Sequence, residues 1–257
     1  MIPKKIHWCW FGSGELPEAH KKYMETWRKY HPDYEIIEWN EKYFDIKKAP
    51  KYVQAAYEDG VYAMVSDYVR AYVLHKYGGW YLDTDVEILK PFLDNYAADF
   101  VTVVEDSRNP DDQYGFEAHF LNRLDENQRN KDDGGYVSGI AVTVSLMGAQ
   151  VGCSYLEDVM DAYEHIDYYD RSVPGCLFGG PIGPQIYAKE LEKYGFRYVP
   201  EAQKLENGIL ILGTDVMRNG EDENTQDGIT CACHHCSFSW FLPYLSPKNK
   251  DDGQNTE

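Results

Sequence analysis

The sequence predicts an α/β fold in which helices flank a mixed central sheet. Its first element is a short apolar and aromatic strand over residues 5–10, which runs into a loop containing Gly12 and Gly14. A helix over residues 17–30 and a second strand over 34–39 follow. A strand, a helix and a strand in this order are typical of a sheet covered by helices.

The next segment predicts a helix followed by two strands. Between residues 61 and 77, Val65, Val69 and Val73 recur every fourth position, which indicates one buried helix face that ends at two glycines, 78–79. Residues 80–82 and 86–89 then read as strands. Asp83 and Asp85 therefore lie at a strand end.

The later elements follow from shorter patterns. We expect strands over 99–104, 140–146, 196–199 and 209–212, and helices over 155–166 and from the turn at 179–184 to 194. Residues 106–135 are polar and weakly periodic, which indicates an insertion or mobile loop. We predict one domain over residues 1–246, followed by a flexible tail over 247–257.

The charge balance restricts the partners. The 257 residues include 25 Lys and Arg against 43 Asp and Glu, a formal charge of -18. Such a protein repels nucleic acid, which we exclude as a partner. An anionic ligand would need local cations or a bridging metal.

The chain shows no apolar run long enough for a transmembrane segment, and Met1 leads into Ile2 and Pro3 without a signal segment. We therefore expect a cytoplasmic protein, with peripheral attachment to the inner membrane face as the further option. The 6 cysteines are too few for a disulfide scaffold in a chain of this length.

Asp83 and Asp85 are the first candidate site residues. Side chains two apart in extended backbone point to one side, so these carboxylates can share Mn²⁺ or Mg²⁺ with a diphosphate. A solvated acidic turn is one alternative, and a phosphatase motif with Asp83 as phosphorylated nucleophile is another. A calcium loop fails because Ile88 stands where that loop needs glycine.

Asp67 and Arg70 lie three residues apart on the preceding helix and so share a face. A surface salt bridge between them is the simplest interpretation. In the functional one, Asp67 accepts hydrogen bonds from sugar hydroxyls and Arg70 contacts sugar or phosphate.

His234, His235, Ser239 and Trp240 form the last candidate group. A neutral imidazole is a suitable third ligand for a divalent ion, and the indole offers a stacking face. The alternative is a zinc cluster from neighbouring residues, namely Cys231, Cys233, His234, His235 and Cys236. These residues are too close in sequence to surround one ion without a second pair elsewhere.

Three segments carry a family resemblance. Residues 2–12, 66–85 and 234–240 resemble the D-x-D sugar transferases that include yeast initiation mannosyltransferases and bacterial capsular polysaccharide enzymes. More distantly, they resemble the glucosyltransferase domain of large clostridial toxins. The resemblance implies a GT-A-type nucleotide-sugar-binding fold, a divalent metal and a nucleoside-diphosphate sugar, with UDP-hexose as the expected donor.

The resemblance also implies roles in donor binding. His7, Trp8 and Trp10 would line the base and ribose pocket, and Asp67 and Arg70 would hold the donor sugar.

At the metal, Asp83 would contact ribose or sugar as well as the ion, and Asp85 would be the main ligand. His235 would complete the ligand set, with His234 as the alternative, while Ser239 and Trp240 would close over the diphosphate.

The expected activity is a metal-dependent, retaining transfer of a hexose to a saccharide acceptor, free or lipid-linked, in surface polysaccharide synthesis. Asp67, Arg70, Asp83 and Asp85 are the residues we expect to act in catalysis. Two other classes stay open, a D-x-D phosphatase-type hydrolase and a catalytically silent sugar-binding protein.

Overall fold

The computed structural model describes residues 1–108, 122–131, 134–170, 172–173, 180–220 and 229–236. The large sheet is built from seven strands: β1 Lys5–Cys9, β2 Glu35–Trp39, β3 Gly79–Leu82, β5 Phe100–Asp106, β6 Ile140–Ala149, β7 Gln203–Lys204 and β8 Ile209–Leu212. A smaller sheet holds three strands: β4 Val86–Ile88, β9 Met217–Asn219 and β10 Ala232–His234. The α-helices are α1 Glu18–Tyr30, α2 Lys51–Glu58, α3 Tyr62–Tyr77, α4 Ser154–His165 and α5 Gly183–Leu191.

The large sheet is mixed, as predicted. Its order is β2-β1-β3-β6-β5-β8-β7, with β1 parallel to β2 and β3, and β6 antiparallel to both of its neighbours. The small sheet pairs β10 antiparallel with β4 and parallel with β9.

Two apolar cores cover the faces of the large sheet. One includes the buried side of α3 together with α4 and α5, and the other lies under α1 and the small sheet. Trp27 fixes α1 to the small sheet, since its indole N–H donates to the carbonyl of Val86 at 2.7 Å. None of the described helices is both long and apolar enough to cross a membrane.

The glycine pair after α3 positions the site. Gly79 has φ +107°, and a Cβ there would lie 2.8 Å from the carbonyl oxygen of Lys5. A larger residue would push β3 away from β1, with which it pairs in parallel. Gly79 thus allows the chain to pass directly from α3 into β3, in the centre of the sheet.

Within the described residues, one predicted strand is absent and one helix was missed. Residues 196–199 are not a strand, because Phe196 donates its N–H to Leu191 and Tyr198 donates to Gln128 rather than to a neighbouring strand. Their alternating burial reflects side chains that enter the core from a loop. In addition, α2 was not predicted, although Pro50 immediately precedes it. The predicted tail over 247–257 and half of the predicted insertion over 106–135 lie outside the described residues.

Candidate metal and donor site

Asp83 and Asp85 lie where the chain leaves the large sheet for the small one. The N–H of Asp83 donates to the Ser145 carbonyl at 2.9 Å, and the N–H of Val86 then donates back to the Asp83 carbonyl at 3.0 Å. This turn exposes the Asp83 side chain to a cleft, where Tyr81 donates its hydroxyl to Oδ1 at 2.9 Å. Asp85 is 7% exposed.

His234 completes a group of possible ligands with the two aspartates. One ligand atom from each of Asp83, Asp85 and His234 lies within 4.8 Å of the others, and His234 Nε2 is 3.3 Å from Asp85 Oδ1. Burial opposes the charged imidazole, but the bond to Asp85 raises the pKa of His234 well above its usual value. Two carboxylates and an imidazole suit a divalent ion such as Mn²⁺.

His235, which directly follows β10, points to the side of the chain opposite to that of His234. Its Nε2 is 3.0 Å from Glu87 Oε2, and its ring stacks on Tyr23 with centroids 3.9 Å apart. Since β10 pairs with β4 so that His234 opposes Val86, consecutive side chains face opposite sides. His234 therefore occupies the position that the resemblance gave to His235.

The cysteines of this segment do not gather around a common point. Cys233 donates its thiol to the Gly220 carbonyl, and Cys231 donates to the Ile229 carbonyl. Within the described part of the chain, the groups close enough to share one ion are those of Asp83, Asp85 and His234. The zinc alternative therefore finds no support in these residues.

Arg70 holds the site together from the floor of the cleft. It is 2% exposed, and its guanidinium donates to Ser66 O at 3.0 Å and Val144 O at 2.6 Å. It also forms ion pairs with Asp67 Oδ1 at 3.1 Å and Asp83 Oδ2 at 3.2 Å. The pair with Asp67 was considered as a surface salt bridge, but it is buried and extends to the D-x-D motif.

Asp67 connects this network to α5. The backbone N–H of Gly183 donates to Asp67 Oδ2 at 3.2 Å, and the hydroxyl of Tyr187 donates to the Asp67 carbonyl at 2.7 Å. Burial raises the pKa of the Asp67 carboxyl to about 6, although Arg70 opposes this shift. Both carboxylate oxygens are thus engaged by the protein.

A cleft of about 430 Å³ opens at the carboxyl ends of β1 and β3, and its lining includes Asp67, Arg70, Asp83, Asp85 and His234. Trp10, Phe11 and Tyr62 give it an aromatic side, which offers a stacking surface for a base or a sugar. Trp10 therefore lines the cleft, and its contact with a base or ribose stays a prediction. Ser239 and Trp240 lie outside the described residues.

His7 and Trp8 do not line the cleft. His7 is 0% exposed, with Nε2 2.9 Å from the Gly78 carbonyl and Nδ1 accepting the indole N–H of Trp39 at 3.0 Å. Both residues lie before the carboxyl end of β1, whereas the cleft begins beside Cys9. The expected contact of His7 with a base is therefore corrected to a core position.

A bulge in β6 forms part of the cleft floor and was not predicted. Val104 pairs with Val142 but Thr102 pairs with Met147, so four residues of β6 lie opposite one of β5. The bulge directs the carbonyls of Val144 and Ser145 toward Arg70 and the D-x-D turn. Two polar residues of the bulge, Thr143 and Ser145, were the signal for it in an otherwise apolar strand.

Two further cleft residues were missed by sequence reasoning. His20 on α1 shares a hydrogen bond of 2.9 Å between its Nδ1 and Thr84 Oγ1, beside the aspartates. Glu105 on β5 lines the same cleft. Neither belongs to a motif, and only the fold brings them to the site.

The cleft is strongly acidic. Among its described lining residues, four carboxyl groups face a single guanidinium, that of Arg70. Arg70 is already shared between Asp67 and Asp83. An anionic ligand can therefore approach this floor only together with a cation.

Residues 17–103 match the family described as "Glycosyltransferase sugar-binding region containing DXD motif". The chain is 31% identical over 125 residues to Subversion of eukaryotic traffic protein A of Legionella pneumophila. The aligned region covers 38% of this chain and 19% of that protein. It is 36% identical over 88 residues to inositol phosphoceramide mannosyltransferase 3 of Schizosaccharomyces pombe, covering 33% of this chain and 24% of that protein. The chain thus spans a quarter or less of the length of these curated relatives.

Among solved structures, PaToxG glycosyltransferase superposes with a TM-score of 0.50, covering 75% of this chain and 69% of that one at 17% identity. At this identity the likeness concerns the fold. It confirms the GT-A-type α/β fold that the resemblance implied.

Proposed function

We propose that this chain is a metal-dependent, retaining hexosyltransferase, and the family match over residues 17–103, the relatives and the fold support this proposal. Its donor is a nucleoside-diphosphate sugar, with UDP-hexose as the expected one, and its acceptor is a saccharide. The observation that carries the metal dependence is the group Asp83, Asp85 and His234 in a cleft that has more carboxylates than cations.

The donor atoms of this group fit a divalent ion. Asp83, Asp85 and His234 would hold it, and when bound it would neutralise the charge that develops on the departing diphosphate. Arg70 and Tyr81 fix the Asp83 carboxylate by hydrogen bonds, so that its orientation is set before any ligand arrives.

The aromatic side of the cleft supports the proposal for the donor. Trp10 and Tyr62 flank its opening from two different segments, which suits stacking on a nucleobase. Asp67 lies deeper, beside Arg70, where the sugar attached to the diphosphate would enter. Asp67 and Arg70 then orient the sugar mainly by fixing the shape of this floor.

Two relatives are named inositol phosphoceramide mannosyltransferases. These names support a hexose donor and an acceptor attached to a lipid. We place the reaction in the cytoplasm, at the inner face of the membrane when the acceptor is lipid-linked, and assign it to surface polysaccharide synthesis.

The phosphatase alternative is less well supported by the geometry. It requires Asp83 to attack a phosphorus atom, but both Asp83 oxygens accept hydrogen bonds, one from Tyr81 and one from Arg70. These bonds occupy both oxygens of the group that would have to attack phosphorus, whereas they orient a metal ligand.

The test uses the melting temperature of the protein with UDP in Mn²⁺ or in EDTA. UDP at about 100 times its dissociation constant should stabilise the fold by about 2.7 kcal/mol, and only with Mn²⁺. Asp85→Asn should abolish this shift and the turnover of UDP-hexoses, because it removes a ligand charge at constant shape. Asp33→Asn, at an exposed residue paired with Lys4, is the matched control. Equal stabilisation by UDP in EDTA would overturn the proposal.

A further inference from the structure

Glu105 is a carboxyl group on the cleft floor that none of the roles above uses. It lies on β5 opposite Ala141, one step beyond Val101 and Val103 on the same face of the strand. Those two valines are 0% exposed and belong to the core under the small sheet. The apolar stripe of β5 therefore ends in an acid at the point where the cleft begins.

The neighbours of Glu105 place it between the possible metal ligands and the Arg70 network. Its charge interacts with His234 from β10 and with Asp67 and Asp83 from the Arg70 network. Thr143, in the bulge of β6, provides a hydrogen-bonding side chain. Glu105 is thus within electrostatic range of both the metal group and the floor beside Asp67.

Glu105 differs from the other cleft acids in its charge partners. Asp67 and Asp83 pair with Arg70, and Asp85 pairs with His234. Among the described residues, no lysine or arginine forms an ion pair with Glu105. Burial raises its pKa, and the like charges of Asp67 and Asp83 act in the same direction. The charge of His234 and the hydrogen bond from Thr143 act in the opposite direction.

Glu105 lines the same cleft as the possible metal ligands and has no lysine or arginine partner among the described residues, so its carboxyl group can contact a ligand bound in the cleft. If the diphosphate of a donor binds at Asp83, Asp85 and His234, its sugar would lie on the neighbouring part of the cleft floor. There the carboxyl oxygens of Glu105 can accept further hydrogen bonds. Sugar hydroxyls are hydrogen-bond donors that a carboxylate binds well.

We infer that Glu105 contacts the transferred hexose, accepts hydrogen bonds from its hydroxyl groups and thereby selects the donor sugar. This inference rests on the proposed function. Glu105 is then a specificity-determining residue, and the metal and the nucleoside diphosphate bind without it.

The experiment compares Glu105→Gln with wild type and with Glu192→Gln. Glu192 is a suitable control because it is also partly buried, its pKa is also raised by burial, and it accepts a hydrogen bond from a tyrosine hydroxyl, that of Tyr198, outside the cleft. For each protein we measure the melting temperature, the affinity for UDP with Mn²⁺, and kcat/KM for UDP-glucose, UDP-galactose, UDP-N-acetylglucosamine and GDP-mannose.

We expect Glu105→Gln to melt no lower than wild type, since a neutral amide of the same shape replaces an acid that has no lysine or arginine partner among the described residues. It should bind UDP with Mn²⁺ as wild type does, yet lose about 10–100-fold in kcat/KM for the preferred donor, the range of one hydrogen bond to a charged group. The loss should differ between the donors, so that their ranking changes. Glu192→Gln should keep the wild-type ranking and rates.

Each contrary result is distinct. A wild-type protein that turns over none of the four donors contradicts the proposed function itself. If wild type is active and Glu105→Gln retains its rates and ranking, only the inference about Glu105 is wrong. A weaker affinity of Glu105→Gln for UDP with Mn²⁺ would assign Glu105 to the metal instead, and a lower melting temperature would assign it to the fold.

Discussion

Gly183→Ala tests the contact between α5 and Asp67 on the floor of the cleft. Gly183 is the first residue of α5, and its backbone N–H donates to Asp67 Oδ2. A Cβ added there would lie 2.5 Å from both Cγ and Oδ2 of Asp67. The Asp67 carboxylate is held in turn by the guanidinium of Arg70, so it has little freedom to move away.

One stabilising and two destabilising effects decide the change in the free energy of unfolding. Alanine is favoured over glycine in a helix by up to about 1 kcal/mol, which would stabilise the variant. Overpacking a buried site costs about 1–3 kcal/mol, and losing the hydrogen bond to the carboxylate costs about 1.5–3 kcal/mol. We therefore expect a net destabilisation of about 2–4 kcal/mol, with a large loss of donor turnover because displaced Asp67 disturbs Arg70 and Asp83.

Urea unfolding at pH 7 measures the free energy, and a double-mutant cycle with Asp67→Ala identifies its origin. In the Asp67→Ala background the added methyl group has room, so Gly183→Ala should be close to neutral there. Gly14→Ala is the control for a glycine whose added Cβ meets nothing within 4 Å. A Gly183→Ala protein as stable as wild type, or equal effects of the substitution in both backgrounds, would refute the reasoning.

Two further predictions concern histidines. Burial lowers the pKa of His7 to about 4, so between pH 6.5 and 4 the unfolded chain binds more protons. About 3 kcal/mol of stability should therefore be lost as pH falls through this range, and His7→Gln should reduce that dependence in urea titrations at pH 7 and pH 4.5. His234→Ala should weaken Mn²⁺-dependent UDP binding more than His235→Ala, because His234 faces Asp85 and His235 faces Glu87. The reverse order in calorimetry would restore His235 as the ligand.

The segment from α3 to the D-x-D turn was predictable because its signals are local. Repeating valines at 65, 69 and 73, a glycine stop and an apolar strand give α3, β3 and the D-x-D turn within about 25 residues. The resemblance rests on the same segment, and so does the family match over residues 17–103. Local periodicity failed at residues 196–199, where buried side chains alternate without any strand partner.

The choice between His234 and His235 could not be made from the sequence. Adjacent residues of an extended segment face opposite sides, and a shift of one residue in pairing exchanges them. The pairing of His234 with Val86 joins residues that are 148 positions apart, and nothing in the segment itself specifies it. The two neighbouring histidines therefore reach different carboxylates, Asp85 and Glu87, only through the register of β10 on β4.

The placement of His7 failed for a related reason. The resemblance assigned His7 to the base and ribose pocket, but the sequence does not show where along β1 the cleft opens. Trp39 and Gly78 satisfy both ring nitrogens of His7, so the neutral imidazole is a well-bonded core residue. Cys9 and Trp10, beyond this point, reach the cleft.

The acidity of the whole chain and the acidity of the cleft have one physical consequence. A formal charge of -18 repels a nucleoside diphosphate at a distance, and a floor with four carboxyl groups repels it at contact. Arg70 cannot reverse this, because Asp67 and Asp83 already share its charge. A divalent ion at Asp83, Asp85 and His234 would change the local sign at the one point where the diphosphate must lie. In the proposed reaction the same floor would favour the positive charge that develops on the sugar as the diphosphate departs, so carboxylates that oppose binding of a free anion would stabilise the reacting group.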